Sequence, residues 1–346
     1  MTFPDRSLTD ATNDAVLDAA PPVRAAEVRP WRARQAVAPA VRVAAVVAVL
    51  VPLCLIGAGL VTRGTGEIRI PGVGTTAVLR AVLFAALTLH AGELAVTRMA
   101  RTVRGAPASR PRSWAVGVSL LGAVAAVAQI VQLAGLGSLA AGLADPDGLL
   151  ETYGTLPGQL ALLQANAFLA AAYCASRSRP AWAVTPLALV VIAEAVRAHP
   201  EVDSPAVGVA LTVVHLTAAA LWCGGLLHAL RTMYGWRDAP DAARVLLGRY
   251  ARMAAWLFAA LAVTGTASTL RRLPLDQILS SAYGRTLLAK LLLVALVGLL
   301  AMVARRRLHR PRRGPSACRA ARVELVALGA VVLVSALLTA VPVPVR

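Results

Sequence analysis

Apolar runs of roughly 18–25 residues recur along this chain, each long enough to cross a ~30 Å hydrocarbon core as a helix. They cover about 37–61, 74–97, 114–141, 156–176, 181–198, 206–230, 253–270, 286–304 and 323–341. Lipid offers no partner to a bare peptide group, so segments of this kind span a membrane as helices. The sequence therefore predicts an all-α integral membrane protein, a polytopic bundle of about nine transmembrane helices with eight as the alternative count. Composition agrees: 58% of residues are hydrophobic and 15% charged, against about 45–50% and 25% in soluble domains. A soluble enzyme is excluded on that ground, and no nucleophile–base pairing suggests a membrane hydrolase.

The formal charge of +18 would point to nucleic acid in a soluble protein. Here arginine supplies nearly all of it, in short clusters between the apolar runs, which is the positive-inside pattern. Nucleic acid is accordingly not an expected partner; the lipid bilayer is. Arg24, Arg29, Arg32 and Arg34 precede the first span. Arg98, Arg101, Arg104, Arg110 and Arg112 follow the second, and Arg177 and Arg179 follow the fourth. Arg237, Arg244 and Arg249 follow the sixth, and a cluster from Arg305 to Arg313 follows the eighth. The alternate loops carry Asp145, Asp147, Glu151, Glu201 and Asp203, with only Arg271 and Arg272 dissenting. This places the N-terminus in the cytoplasm and the C-terminus outside a bacterial cytoplasmic membrane. Residues 1–36 read as a disordered cytoplasmic tail, 37–198 as an N-terminal membrane domain of about five helices, and 199–346 as a C-terminal one of about four.

Four cysteines, Cys54, Cys174, Cys223 and Cys318, form no CxxC pair, which argues against a disulfide framework or a thiolate zinc site. No GxxxxGK[ST] loop, Asp-Lys-Thr-Gly site or intramembrane Cys-Pro-Cys occurs, which argues against an ATP-driven metal pump. The chemistry must then lie with polar residues inside the spans, where each ionisable group costs at least ~2.5–3.5 kcal/mol. His90 and Glu93 lie three residues apart on one face of the second span. Glu194 and Arg197 close the fifth and can pair with each other, and His199 follows them. His215 stands near the middle of the sixth, and Trp222, seven residues on, shares its face. Cys223 follows it, and Gly224 and Gly225 then remove side chains so that another backbone or a ligand can approach. His228 lies thirteen residues past His215, about 140° around the helix.

Imidazole nitrogens suit copper and zinc. His199 and His215 would make a metal site near the outer face, while His90, Glu93 and His228 would form a second, deeper station. The ordinary alternative for each histidine is a hydrogen bond to a neighbouring helix. Met99, Met233, Met253 and Met302 are scattered, so histidine rather than thioether is the candidate ligand. Haem b held by facing histidines, such as His90 and His228, is a competing reading, as is an assembly factor for a copper-containing respiratory oxidase.

His215…Trp222-Cys223-Gly224-Gly225 resembles the histidine helix ending in Trp-x-Gly-Gly of the copper resistance protein D family. Arg249-Tyr250-Ala-Arg252-Met253-Ala resembles the approach to that family's next helix, and Thr264-Gly265 its mid-helix pair. Tyr283-Gly284-Arg285-Thr286-Leu-Leu-Ala-Lys290 is similar to its Tyr-Gly-x-x-Leu-Leu-x-Lys signature, and Arg322-Val-Glu324-Leu to the start of its closing helix, which here runs into Pro342 and Pro344. The resemblance covers about residues 199–344. It implies membrane copper homeostasis with the copper ion as cargo, usually described as uptake, without enzymatic activity. It also implies a separate extracytoplasmic copper-binding protein as partner. Lys290 matches a family position, although a lysine five residues inside a span can also snorkel to the surface.

Overall fold

The computed structural model describes residues 72–177, 179–198 and 204–272, together with a few positions between 287 and 299. The expected spans at 37–61, 286–304 and 323–341 fall wholly or largely outside the described residues. Every described element is helical, with no strand among the described residues. The order is α1 (Val73–Arg101), α2 (Ala115–Ala134), α3 (Leu139–Ala144), α4 (Pro146–Gly154), α5 (Leu156–Ser176), a 3₁₀ turn (Pro180–Ala183), α6 (Val184–Arg197), α7 (Pro205–Gly235) and α8 (Pro240–Arg272).

Local chemistry sets many of these boundaries. The Ser138, Asp145 and Thr155 side chains accept the Ala141, Gly148 and Gly158 N–H groups at the starts of α3, α4 and α5. Each satisfies a donor that the first helical turn leaves unpaired. Pro146, Pro157 and Pro205 occupy first-turn positions, where a missing N–H is harmless.

Among the described residues, five helical segments are long and apolar enough to cross a membrane: Val73–Arg101, Ala115–Ala134, Pro180–Arg197, Pro205–Gly235 and Pro240–Thr269. The protein is a multi-pass membrane protein. Leu156–Ser176 is comparably long but carries Gln159, Gln164 and Asn166 and falls short of that apolarity. Val116, Leu120, Leu121, Val124 and Val127 leave one side of α2 exposed, as expected of a face turned to acyl chains.

Two boundaries differ from the sequence expectation. The run at 114–141 is one helix only to Ala134. There Leu136 (φ 51°) and Gly137 (φ 103°) turn the chain left-handed, and the Gly137 N–H returns to the Gln132 carbonyl at 2.8 Å. This is a glycine-dependent helix stop. The seventh span, expected from 253, begins as a helix at Pro240. Its first three turns are amphipathic rather than uniformly apolar: Ala242, Ala243, Leu246 and Tyr250 are buried at helical spacing, while Asp241, Arg244, Val245 and Gly248 are exposed.

The core has two clusters. Leu83, Phe84 and Leu87 of α1 meet Ala126 of α2, Phe168 of α5 and Leu187 and Val190 of α6. The fully buried Phe168 ring lies over Gly122, where a Cβ would come within 2.8 Å. The second cluster joins Val96, Val103, Trp222, Leu226, Trp236, Leu246 and Tyr250 at one end of α1, α7 and α8. At that end Trp236 Nε1 donates to the Ser109 carbonyl at 3.1 Å and Arg231 Nη2 to the Arg112 carbonyl at 2.8 Å. The arginine-bearing loops after α1 and α7 therefore lie together. At the opposite end of α8, the dissenting Arg271 donates to Ser204 Oγ at 2.6 Å.

α1 and α7 touch backbone to backbone. A Cβ on Gly92 would stand 2.1 Å from the Gly224 carbonyl carbon, and one on Gly224 would stand 1.8 Å from the Thr88 carbonyl oxygen. Small residues permit that approach, and in lipid, where burial drives little, close packing supplies the attraction. Gly225 lies under the Tyr250 ring, 2.9 Å from Cε2 to its would-be Cβ. Tyr250 in turn donates its hydroxyl to the Trp222 carbonyl at 2.7 Å.

Candidate metal-handling site

His215 and His228 sit on the same helix and face different neighbours, as their 140° separation requires. His215 looks to α8, where its Nδ1 lies 2.9 Å from Thr264 Oγ1. The Thr264 hydroxyl also lies 2.7 Å from the Ala260 carbonyl and 3.4 Å from that of Leu261. Gly265 lies beside the ring, with a would-be Cβ 3.7 Å from His215 Cε1. The bond to a neighbouring helix expected of an intramembrane histidine is thus present.

His228 looks to α1 and α2. Arg231 Nη1 lies 3.3 Å from His228 Nδ1. A guanidinium only donates, so Nδ1 accepts and the neutral ring carries its proton on Nε2. That atom stands 3.9 Å from Glu93 Oε2 without a hydrogen-bond partner. Glu93 Oε2 accepts the Trp114 N–H at 3.0 Å, which places its carboxylate at the N-terminus of α2, where the helix dipole favours negative charge. Arg231 stacks over the Trp114 ring at 3.4 Å, and the same ring meets His228 edge-on at 5.9 Å.

His90, fully buried, pairs its Nδ1 with Ser119 Oγ at 2.6 Å; its Nε2 has no hydrogen-bond partner. Glu93 of α1 and His228 of α7 thus face each other, while His90 of α1 takes Ser119 of α2 as its partner. Among the described residues, no group of three or more His, Cys, Asp or Glu is arranged to hold a metal ion. His199 lies outside the described residues, as do Tyr283, Gly284, Lys290 and Glu324. Trp222 is buried against Phe258 with ring centroids 5.5 Å apart. Cys223 is buried beside it, and Gly224 and Gly225 meet α1 and Tyr250 as described.

Glu194 pairs with Arg197, as the sequence allows, within a wider knot. Arg197 donates to the side-chain oxygens of Gln129 on α2 and Gln164 on α5. Gln164 Nε2 donates to Glu194 Oε2 at 3.0 Å, and Arg80 of α1 adds its field to the same carboxylate. Gln129, Gln164, Ser119, Trp114 and Arg231 were not among the candidate residues. The two glutamines had a readable signal, being uncharged amides inside apolar runs that need partners in lipid. Ser119 and Trp114 had none, since only the packing of α2 on α1 gives them their roles.

Residues 244–338 match the family model of copper resistance protein D. Over this segment the chain is similar to that family. No curated protein and no solved structure matches the chain. The copper resistance protein D match starts later than the resemblance expected from residue 199. It contains the Arg249-Tyr250, Thr264-Gly265, Tyr283–Lys290 and Arg322–Glu324 motifs, while His215 and Trp222–Gly225 precede it. Of this copper-resistance segment the structure describes mainly 244–272, most of α8. Through Thr264 and Tyr250, that helix holds His215 and the Trp222 backbone of α7.

Proposed function

We propose that this protein carries copper ions through a bacterial cytoplasmic membrane, most simply inward, as cargo and without catalysis. The observation that supports the reading is the contact of His215 with Thr264 within the copper-resistance segment, since imidazole is a side chain able to bind copper. His199, which closely precedes α7, would share the outer site, and His90 with Glu93 would lie further along the path. Cytoplasmic placement of the N-terminus follows from the arginine clusters, which supports receipt of copper from an extracytoplasmic binding protein at the opposite face. Haem between α1 and α7 is disfavoured by geometry. The two backbones touch at Gly92 and Gly224, one turn from His228, and leave no width there for a macrocycle.

Copper accumulation by mass spectrometry tests the reading, in cells lacking the protein, carrying it intact, or carrying His199→Ala/His215→Ala at equal membrane level. The intact protein should raise cellular copper and the double variant should not. Equal copper in all three would defeat uptake through these residues.

A further inference from the structure

The two sides of α5 differ in what they meet. Ala161, Gln164, Ala165, Phe168 and Ala171 are buried against α2 and α6. The other side follows a seven-residue repeat. Gln159, Asn166 and Tyr173 lie seven residues apart, Leu162 and Leu169 stand three residues after the first two, and all five are exposed. Successive heptads drift only about 20° around a helix, so the five form one stripe. This is the a/d pattern of helices that pack side by side in parallel, and a polar residue at one a position sets register and the number of strands. Asn166 holds the central a position here.

Asn166 also sits at the least favourable depth for an amide. α2 and α6 both start beside arginine-bearing loops and both cross, so α5, which returns the chain between them, crosses too. Its 21 residues reach about 30 Å, and Asn166 is at their midpoint. Nδ2 donates to the Leu162 carbonyl of the same helix at 2.9 Å, while Oδ1 has no hydrogen-bond partner among the described residues. Such side chains bond across helices in lipid. Asparagine and glutamine occur in only two of the nine expected spans, those of α2 and α5. Gln129 is engaged by Arg197, Gln132 by the Gly72 carbonyl and the Thr76 hydroxyl, and Gln164 by Glu194 and Arg197. Beyond Gln159, seven residues along the same helix, no amide remains in those spans to meet Asn166. A second copy supplies one. Copies inserted with the same topology are related by a two-fold axis along the membrane normal, which makes their α5 helices parallel and sets each Asn166 against its counterpart. A carboxamide both donates and accepts, so that pairing is self-complementary.

We propose that the α5 stripe of Gln159, Leu162, Asn166, Leu169 and Tyr173 is a homodimer interface, in which the α5 helices of two copies pack in parallel with their Asn166 carboxamides hydrogen-bonded. The interface precedes the copper-resistance segment in the chain and does not depend on the copper reading.

The test uses full-length protein, labelled separately with donor and acceptor fluorophores, in vesicles of phosphatidylethanolamine and phosphatidylglycerol. Energy transfer is followed as the protein is diluted with lipid. The intact protein should show transfer above that of randomly mixed monomers, declining on dilution to give a dissociation constant. Asn166→Leu should weaken association about 5–30-fold, the range of an interhelical hydrogen bond in lipid, while Asn166→Gln, which keeps the amide, should stay near the parent. With the four native cysteines replaced by serine, Leu169→Cys should give disulfide-linked dimers on oxidation with iodine. Val124→Cys, on the exposed side of α2, should not. Because the intact protein reports its own association, a variant that fails to insert leaves the inference falsifiable. Transfer at the random level at every dilution means that lipid or another span of the same chain covers the stripe, and overturns the inference. So does an Asn166→Leu protein of parent affinity, or a dimer that crosslinks through Val124→Cys and not through Leu169→Cys.

Discussion

Replacing Gly224 with alanine should separate α1 from α7 and destabilise the bundle. The added Cβ would lie 1.8 Å from the Thr88 carbonyl oxygen, about 1.5 Å closer than van der Waals contact allows. The obstacle is backbone on a neighbouring helix, so no rotamer change relieves it. The helices must move apart, and Gly92, which packs against Gly224 from the other side, loses its contact as well. Overpacking of this kind costs typically 1–3 kcal/mol. With backbone as the clashing partner the upper part applies, about 2–3 kcal/mol, or on the order of 100-fold in the folding equilibrium at the upper end. The control is Gly117→Ala on α2, where a Cβ meets nothing within 4 Å and alanine is the better helix former. Reversible unfolding in mixed micelles, followed by tryptophan fluorescence, measures both. Gly224→Ala should be clearly less stable than the parent and Gly117→Ala equal or slightly more so. Gly224→Ala within about 0.5 kcal/mol of the parent, the range of an inconsequential surface change, would refute the close crossing of these helices.

Other perturbations read other parts of the structure. Arg197→Leu strands the Glu194 carboxylate and the Gln129 and Gln164 oxygens, and removing one partner of a buried ion pair costs about 3–5 kcal/mol; folded yield should collapse. Adding Glu194→Gln to it should recover a measurable part of that stability, and a double variant as unstable as the single one would count against direct pairing. Tyr250→Phe removes the bond to the Trp222 carbonyl while keeping the ring over Gly225, so the loss should be about 0.5–1.5 kcal/mol. A neutral result in the same unfolding assay would mean that bond contributes nothing.

The membrane character of this chain was legible without any tertiary information, because crossing a bilayer is a demand on length and apolarity that a single helix meets alone. The same is true of the alternation of arginine-rich and acidic loops, and the clustered loops after α1 and α7 agree with it. Helix limits were legible where a cap or proline marks them, and not at Pro240, where amphipathic turns take their helicity from packing against Trp236 and Val103. The pairing of Glu194 with Arg197 was readable from i, i+3 spacing, since both partners lie on one helix. What only the assembled bundle decided is which atoms face each other across helices. His90 meets Ser119, Gly224 meets Thr88, and Arg197 reaches two glutamines on two other helices. The partners of His215 and His228 belong to this second group. Thr264 on another helix and Arg231 one turn along the same one face these rings only once packing has fixed their orientations.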